Sequence, residues 1–149
     1  GQTCTRWARE YPCDGLVAVN DKAANNSVLK AAYKSASGKK TFVWTMEAWQ
    51  KKSQKVLDSQ DQYFLITKNP IDMKKILVDQ GFDCGIKIVI VGPCNDREGA
   101  TKLGNNQSIT QEEAEAFEAL AKAGYTIKFA LLPDVSIGTW DDFKDKFGF

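Results

Sequence analysis

The 149-residue sequence predicts an α/β domain with a mostly parallel sheet. Three observations carry that expectation. Short apolar runs alternate with helix-like stretches along the whole chain. The run over 86–91, Ile-Lys-Ile-Val-Ile-Val, has the near-continuous β-branched character of a strand covered on both faces. Capping residues open the helical stretches and glycines close most of them.

Taken in order, Thr5–Tyr11 is helix-compatible and ends at Pro12. The first strand is Leu16-Val17-Ala18-Val19, set off by Asp14-Gly15 and Asn20-Asp21. A helix follows from about Ser27, with Val28, Leu29, Ala32 and Ala36 as its apolar face and Gly38 as its stop. Thr41-Phe42-Val43-Trp44 is the second strand, and Thr45 caps a helix whose inner face carries Trp49, Ser53, Val56 and Leu57. Tyr63–Ile66 is the third strand. Asn69-Pro70 then pairs a good N-cap with a proline at the first helical position, and Met73, Ile76, Leu77 and Gln80 trace the helix to Gly81.

Residues 86–91 form the fourth strand. Thr110 and Glu113 make a capping box for a helix with Ala114, Phe117, Leu120 and Ala121 inside. Thr126–Leu132 is the fifth strand, and a short last helix after Thr139 buries Phe143 and Phe147. These elements predict a single three-layer α/β/α domain over residues 1–149 with a five-stranded sheet. The favoured strand order is 3-2-1-4-5, with the fourth strand central; the flavodoxin-like 2-1-3-4-5 is the alternative.

In such a sheet a ligand sits outside the carboxyl ends of the strands. That edge holds Asn20, Asp21 and Asn25; Thr45 and Glu47; Thr67, Lys68 and Asn69; Asn95, Asp96, Arg97 and Glu98; and Asp134, Ser136 and Thr139. Helix capping is a sufficient role for Asn25, Thr45, Asn69 and Thr139, and turn formation for Asp21 and Asp134. Residues 92–109 lack a periodic apolar pattern and are long for a connection, which suggests a lid or binding loop.

The sequence has no histidine, so Ser-His-Asp chemistry and imidazole zinc ligation are absent from these residues. No dinucleotide fingerprint follows the first strand, and Ser37-Gly38-Lys39-Lys40-Thr41 precedes a strand where a phosphate loop would follow one. Acid–base and nucleophilic work therefore falls to carboxylates. The candidate catalytic residues are Glu47, Asp96, Glu98 and Asp134; the candidate ligand-binding residues are Asp21, Lys68, Asn95 and Arg97, with Lys68 or Arg97 gripping a phosphate.

This set fits a hydrolase or transferase acting on a nucleotide-like or N-glycosidic substrate, with no cofactor required and Mg²⁺ as the ion such carboxylates would hold. The alternatives are a secreted module that recognises a protein or glycan, and a toxin-like metal-dependent nuclease. A net charge of +1 gives no field for nucleic acid, and no apolar run approaches the ~20 residues of a membrane span.

Four cysteines, an even number, suggest disulfides and export. Cys84 and Cys94 flank the fourth strand, roughly 30 Å apart at ~3.3 Å per residue. Cys4 and Cys13, across a helix, stand ~13 Å apart at 1.5 Å per residue. Both separations exceed the ~7 Å a disulfide allows, so Cys13–Cys84 and Cys4–Cys94 are the expected pairs, pinning residues 1–14 across the fourth strand.

Overall fold

The computed structural model describes residues 13–149, and the chain divides into two compact units with the break between Lys68 and Asn69. The expected helix over 5–11 and the residue Cys4 lie outside the described part.

The first unit contains β1 (Gly15–Val19), α1 (Asp21–Ala24), α2 (Ser27–Ala36), β2 (Lys40–Trp44), α3 (Met46–Asp58) and β3 (Tyr63–Thr67). Its sheet has the order β2-β1-β3 and is parallel throughout. Gly15 lies level with Lys40 and Tyr63, and Val19 with Trp44 and Thr67. Every residue of β1 is buried. Alternation along the strands sends side chains to opposite faces. On one face Ala18 and Val43 pack with Ala23 of α1, and Ala24 and Tyr33 lie against them. On the other, Trp44 meets Trp49 of α3 with ring centroids 6.4 Å apart. Helices thus cover both faces of this sheet, as the α/β/α expectation requires.

A carboxylate fastens each end of β1 to its surroundings. The Gln62 amide donates to Asp14 Oδ2 at 2.7 Å before the strand, and the Met46 amide donates to Asp21 Oδ1 at 2.7 Å after it. Asp21 therefore ties strand to helix and does more than shape its own turn. The strands also start very close together: a Cβ on Gly15 would stand 2.6 Å from the Lys40 carbonyl oxygen.

The second unit contains α4 (Pro70–Lys74) continued by a π turn (Lys75–Asp79), then β4 (Ile88–Val91), β5 (Ala100–Gly104), β6 (Gln107–Thr110), α5 (Gln111–Lys122), β7 (Thr126–Leu132) and β8 (Val135–Thr139). It closes with α6 (Trp140–Phe143) and a 3₁₀ turn (Lys144–Phe147). One sheet has the order β4-β7-β8, with β4 parallel and β8 antiparallel to β7; β5 and β6 form a separate antiparallel hairpin. The core joins Phe117 and Leu120 of α5 to Ile127 and Phe129 of β7, with Ile109, Trp140 and Phe147 around them. Phe117 lies 5.3 Å from Phe129 and 5.6 Å from Trp140, ring centre to ring centre.

The α/β class with parallel strands stands, while four particulars change. The favoured order 3-2-1-4-5 fails, because β1 lies between β2 and β3 and β4 pairs with β7. Those pairings are ones the alternative order 2-1-3-4-5 contains. The run over 86–91 is also not a central strand of its sheet: Val89 and Val91 pack against the core, while Ile88 is 59% exposed. Both errors have one cause, since an unbroken apolar run records composition and cannot say how many neighbours a strand has.

The third correction concerns the stretch 92–109, which contains the β5–β6 hairpin. Gly104 pairs with Gln107, so the turn is the two residues Asn105 and Asn106, with Asn106 at φ 57°. Asparagine tolerates that left-handed conformation better than most residues. Fourth, α2 buries none of its residues; Val28 is 75% exposed, and Tyr33 makes the contact with the core. Its cap is Asn26, whose Oδ1 accepts from the Val28 and Leu29 amides, while Asn25 ends α1.

Cys13, Cys84 and Cys94 are free thiols, so the predicted Cys13–Cys84 disulfide is absent; the Cys4–Cys94 pair involves a residue outside the described part. The pairing argument placed the first and fourth strands side by side in one sheet. They belong to separate sheets, and the geometric premise is gone.

Candidate functional site

The carboxyl ends of the strands in the first unit bring together polar residues around a cavity. β1 runs into Asn20, whose extended backbone still receives the sheet: its amide donates to the Trp44 carbonyl at 3.0 Å. Asn20 Oδ1 accepts from the Ala23 amide at 3.1 Å and so caps α1. β3 delivers Lys68 to the same edge. A cavity of about 270 Å³ lies there, lined by Asn20, Lys22, Ala23, Leu29, Tyr33 and Lys68. Among the described residues neither Lys22 nor Lys68 forms an ion pair, and no carboxylate lines the cavity.

A second polar cluster follows β4 in the other unit. Gln107, 1% exposed, donates from Nε2 to the carbonyls of Val91 at 3.0 Å and Gly92 at 3.4 Å. Ser108 donates to Asp96 Oδ1. Arg97 donates to the carbonyls of Asn95 at 3.0 Å and Ser108 at 3.3 Å, and it pairs with Glu113 Oε1. The same Glu113 carboxylate accepts from the Thr110 amide at 2.9 Å, closing the predicted capping box. Burial raises the pKa of the Cys94 thiol in this cluster; the Glu113 charge adds to the rise and Arg97 opposes it. These contacts anchor the hairpin to the end of β4 and to the start of α5.

Apart from Asp21, which is held by the Met46 amide and does not line the cavity, the predicted site residues fall into three groups. Lys68 lines the cavity. Asn95, Asp96 and Arg97 stand together after β4, each with a bonding partner inside the second unit. Glu47, Glu98 and Asp134 stand apart: Glu47 pairs with Lys51 at 3.3 Å on the exposed face of α3, Glu98 is exposed, and Asp134 occupies the two-residue turn between β7 and β8. Among the described residues no three His, Cys, Asp or Glu side chains converge as a metal site would need, so the carboxylates do not assemble around an ion such as Mg²⁺.

Sequence reasoning missed Lys22, Tyr33, Gln107 and Ser108. Lys22 and Tyr33 carry no motif and meet only because α1 and α2 fold back over the end of β1. Gln107 and Ser108 had a readable signal in Gly104-Asn105-Asn106, a two-residue turn that makes the next residues a paired strand.

Comparison with known proteins gives consistent results. Residues 1–148 match the family model described as PTS system sorbose subfamily IIB component. The chain is 25% identical over 132 residues to the mannose-specific EIIAB component of the PTS system in Escherichia coli, covering 86% of this chain and 39% of that protein. It thus spans about two fifths of that relative's length. The fructose-specific EIIB component of Bacillus subtilis is 25% identical over 135 residues, covering 89% of this chain and 81% of its own. The solved IIBSor domain of the Klebsiella pneumoniae sorbose permease superposes with a TM-score of 0.84 at 23% identity, covering 97% of this chain and 89% of that one.

These matches overturn the functional expectations drawn from the sequence. A carboxylate-dependent hydrolase, a secreted effector or adhesin, and a toxin-like nuclease all give way to a component of a sugar phosphotransferase system, and the expectation of export goes with them. The physical reason is that, among the described residues, the candidate carboxylates do not converge, and the three described cysteines are unpaired thiols. Among the described residues no helix is long and apolar enough to cross a membrane.

Proposed function

Because the chain belongs to the sorbose subfamily of PTS system IIB components, we propose that it relays a phosphoryl group during sugar uptake, on the cytoplasmic side of the membrane. The match along residues 1–148 is the observation that carries this reading. In it the protein partner upstream is a IIA unit, the kind joined to a IIB unit in the mannose-specific relative. The phosphoryl group leaves that unit, is held by the IIB component, and then passes to a sugar hydroxyl, which gives up its proton. Such a relay asks little covalent chemistry of the fold. It asks for positioning and for cationic groups near the moving phosphoryl oxygens. Lys22 and Lys68 at the carboxyl edge of the first sheet, unpaired among the described residues, supply charge of that sign.

The test uses the full-length protein with phosphoenolpyruvate, the general phosphotransferase proteins and a IIA partner, read by intact mass. One phosphoryl group should appear on the protein and disappear when its sugar and the membrane component are added. Peptide mapping then locates the acceptor, whether a cysteine or carboxylate of these residues or a residue outside them. A protein that stays unmodified beside a phosphorylated IIA partner would overturn the proposal.

A further inference from the structure

We infer that the cavity between the ends of β1 and β3 is a binding site for a small phosphate monoester, with Lys22 and Lys68 as its anion-binding pair. The inference rests on the phosphoryl-relay reading for its context, and on the cavity's own chemistry for its content. Two lysines reach one concave surface at the edge where parallel sheets take their ligands. Neither has an ionic partner among the described residues, whereas Arg97 pairs with Glu113 and Lys51 with Glu47. A dianion seated in the cavity would give both ammonium groups a partner of opposite charge.

The remaining lining residues narrow the ligand further. Asn20 spends its Oδ1 on the Ala23 amide, so the hydrogens on Nδ2 are what it can offer a ligand oxygen. Among the described residues no acidic side chain lines the cavity, so none competes there for an anion. Ala23, Leu29 and Tyr33 give the rest of the wall an apolar character suited to the carbon side of an ester. At about 270 Å³ the space falls just below the ~300–1,000 Å³ of ordinary small-molecule sites, so the ligand is compact.

The experiment is a titration of the ¹⁵N-labelled full-length protein, followed by amide shifts, with inorganic phosphate, a hexose phosphate and the free hexose. Saturable shifts should centre on Asn20, Lys22, Ala23 and Lys68 for both phosphates and be absent for the free hexose. Lys22→Gln and Lys68→Gln should each weaken phosphate binding roughly two- to fivefold, the range of an exposed charge pair, and raising the salt should weaken it further. Lys55→Gln, which removes an exposed charge elsewhere in the same unit, should change nothing. Tighter binding of the hexose phosphate than of inorganic phosphate would support the inference; equal binding would overturn the assignment to an ester. Absence of saturable shifts, equal shifts from the free hexose, or unchanged affinity in both lysine variants would overturn it. Phosphoryl transfer that survives alongside such a failure would leave the relay reading standing without this site.

Discussion

The core of the second unit and the α1 face of the first unit's sheet are packed by opposite means. Around α5 and β7 the space is filled with large rings, Phe117, Phe129, Trp140 and Phe147. On the α1 face of the first sheet the buried cluster is Ala18, Ala23 and Val43, and the strands themselves crowd together at Gly15. One interior is held by volume and the other by close approach. The first therefore suffers when atoms are removed and the second when they are added.

That contrast sets the order of expected effects. Phe117→Ala should cost the most, about 3–5 kcal/mol, because it leaves a ring-sized void beside Phe129 and Trp140. Urea denaturation followed by far-ultraviolet circular dichroism measures it, and a loss below ~1 kcal/mol would show that the aromatic cluster can collapse around the gap. Gly15→Val should cost about 1–3 kcal/mol for the reverse reason, since the new Cβ meets the Lys40 carbonyl oxygen and the Tyr63 ring. A neutral result would mean that the starts of β1 and β2 part easily. Helix caps should matter alike in both units: Thr110→Ala and Asn26→Ala are each expected to cost ~1 kcal/mol. A far larger loss for Thr110→Ala would show that the Arg97–Glu113 pair depends on the cap.

The smallest effect concerns the thiols. Alkylation at neutral pH should modify exposed Cys84 before Cys13 and Cys94, whose thiols burial holds above the ordinary cysteine value. Because the thiolate is the reactive form, raising the pH should narrow the gap. Mass spectrometry of timed samples reads the order, and Cys94 reacting first would contradict its burial.

Local chemistry was the legible part of this sequence. The Thr110–Glu113 capping box, the Asn69 cap before Pro70 and the Thr45 cap all formed as read, because each needs only residues within one helical turn. Strand rank was not legible. Gly15–Val19 and Ile88–Val91 are similar apolar runs, yet the first has strands on both sides and the second on one. Neighbours decide that, and they come from elsewhere in the chain. The candidate site was legible at Lys68, since the carboxyl-edge rule selects its position. Lys22 and Tyr33 escaped because their meeting depends on how α1 and α2 turn back over the sheet. The carboxylates were misread for a simpler reason: Asp21, Asp96 and Glu47 spend oxygens on nearby donors.

The two aspartates that bracket β1 have a consequence for how the first sheet breathes. Strand ends normally fray, and their amides trade hydrogen for deuterium long before those of the middle. Here Asp14 receives the Gln62 amide and Asp21 receives the Met46 amide, one just before and one just after the same strand. Opening either end of β1 therefore means breaking a charge-assisted bond as well as a ladder bond. The strand should open as a whole and not from its tips, so its amides should exchange at nearly one rate. Replacing both aspartates with alanine would free the tips, and a gradient of exchange from the ends to the middle would then appear.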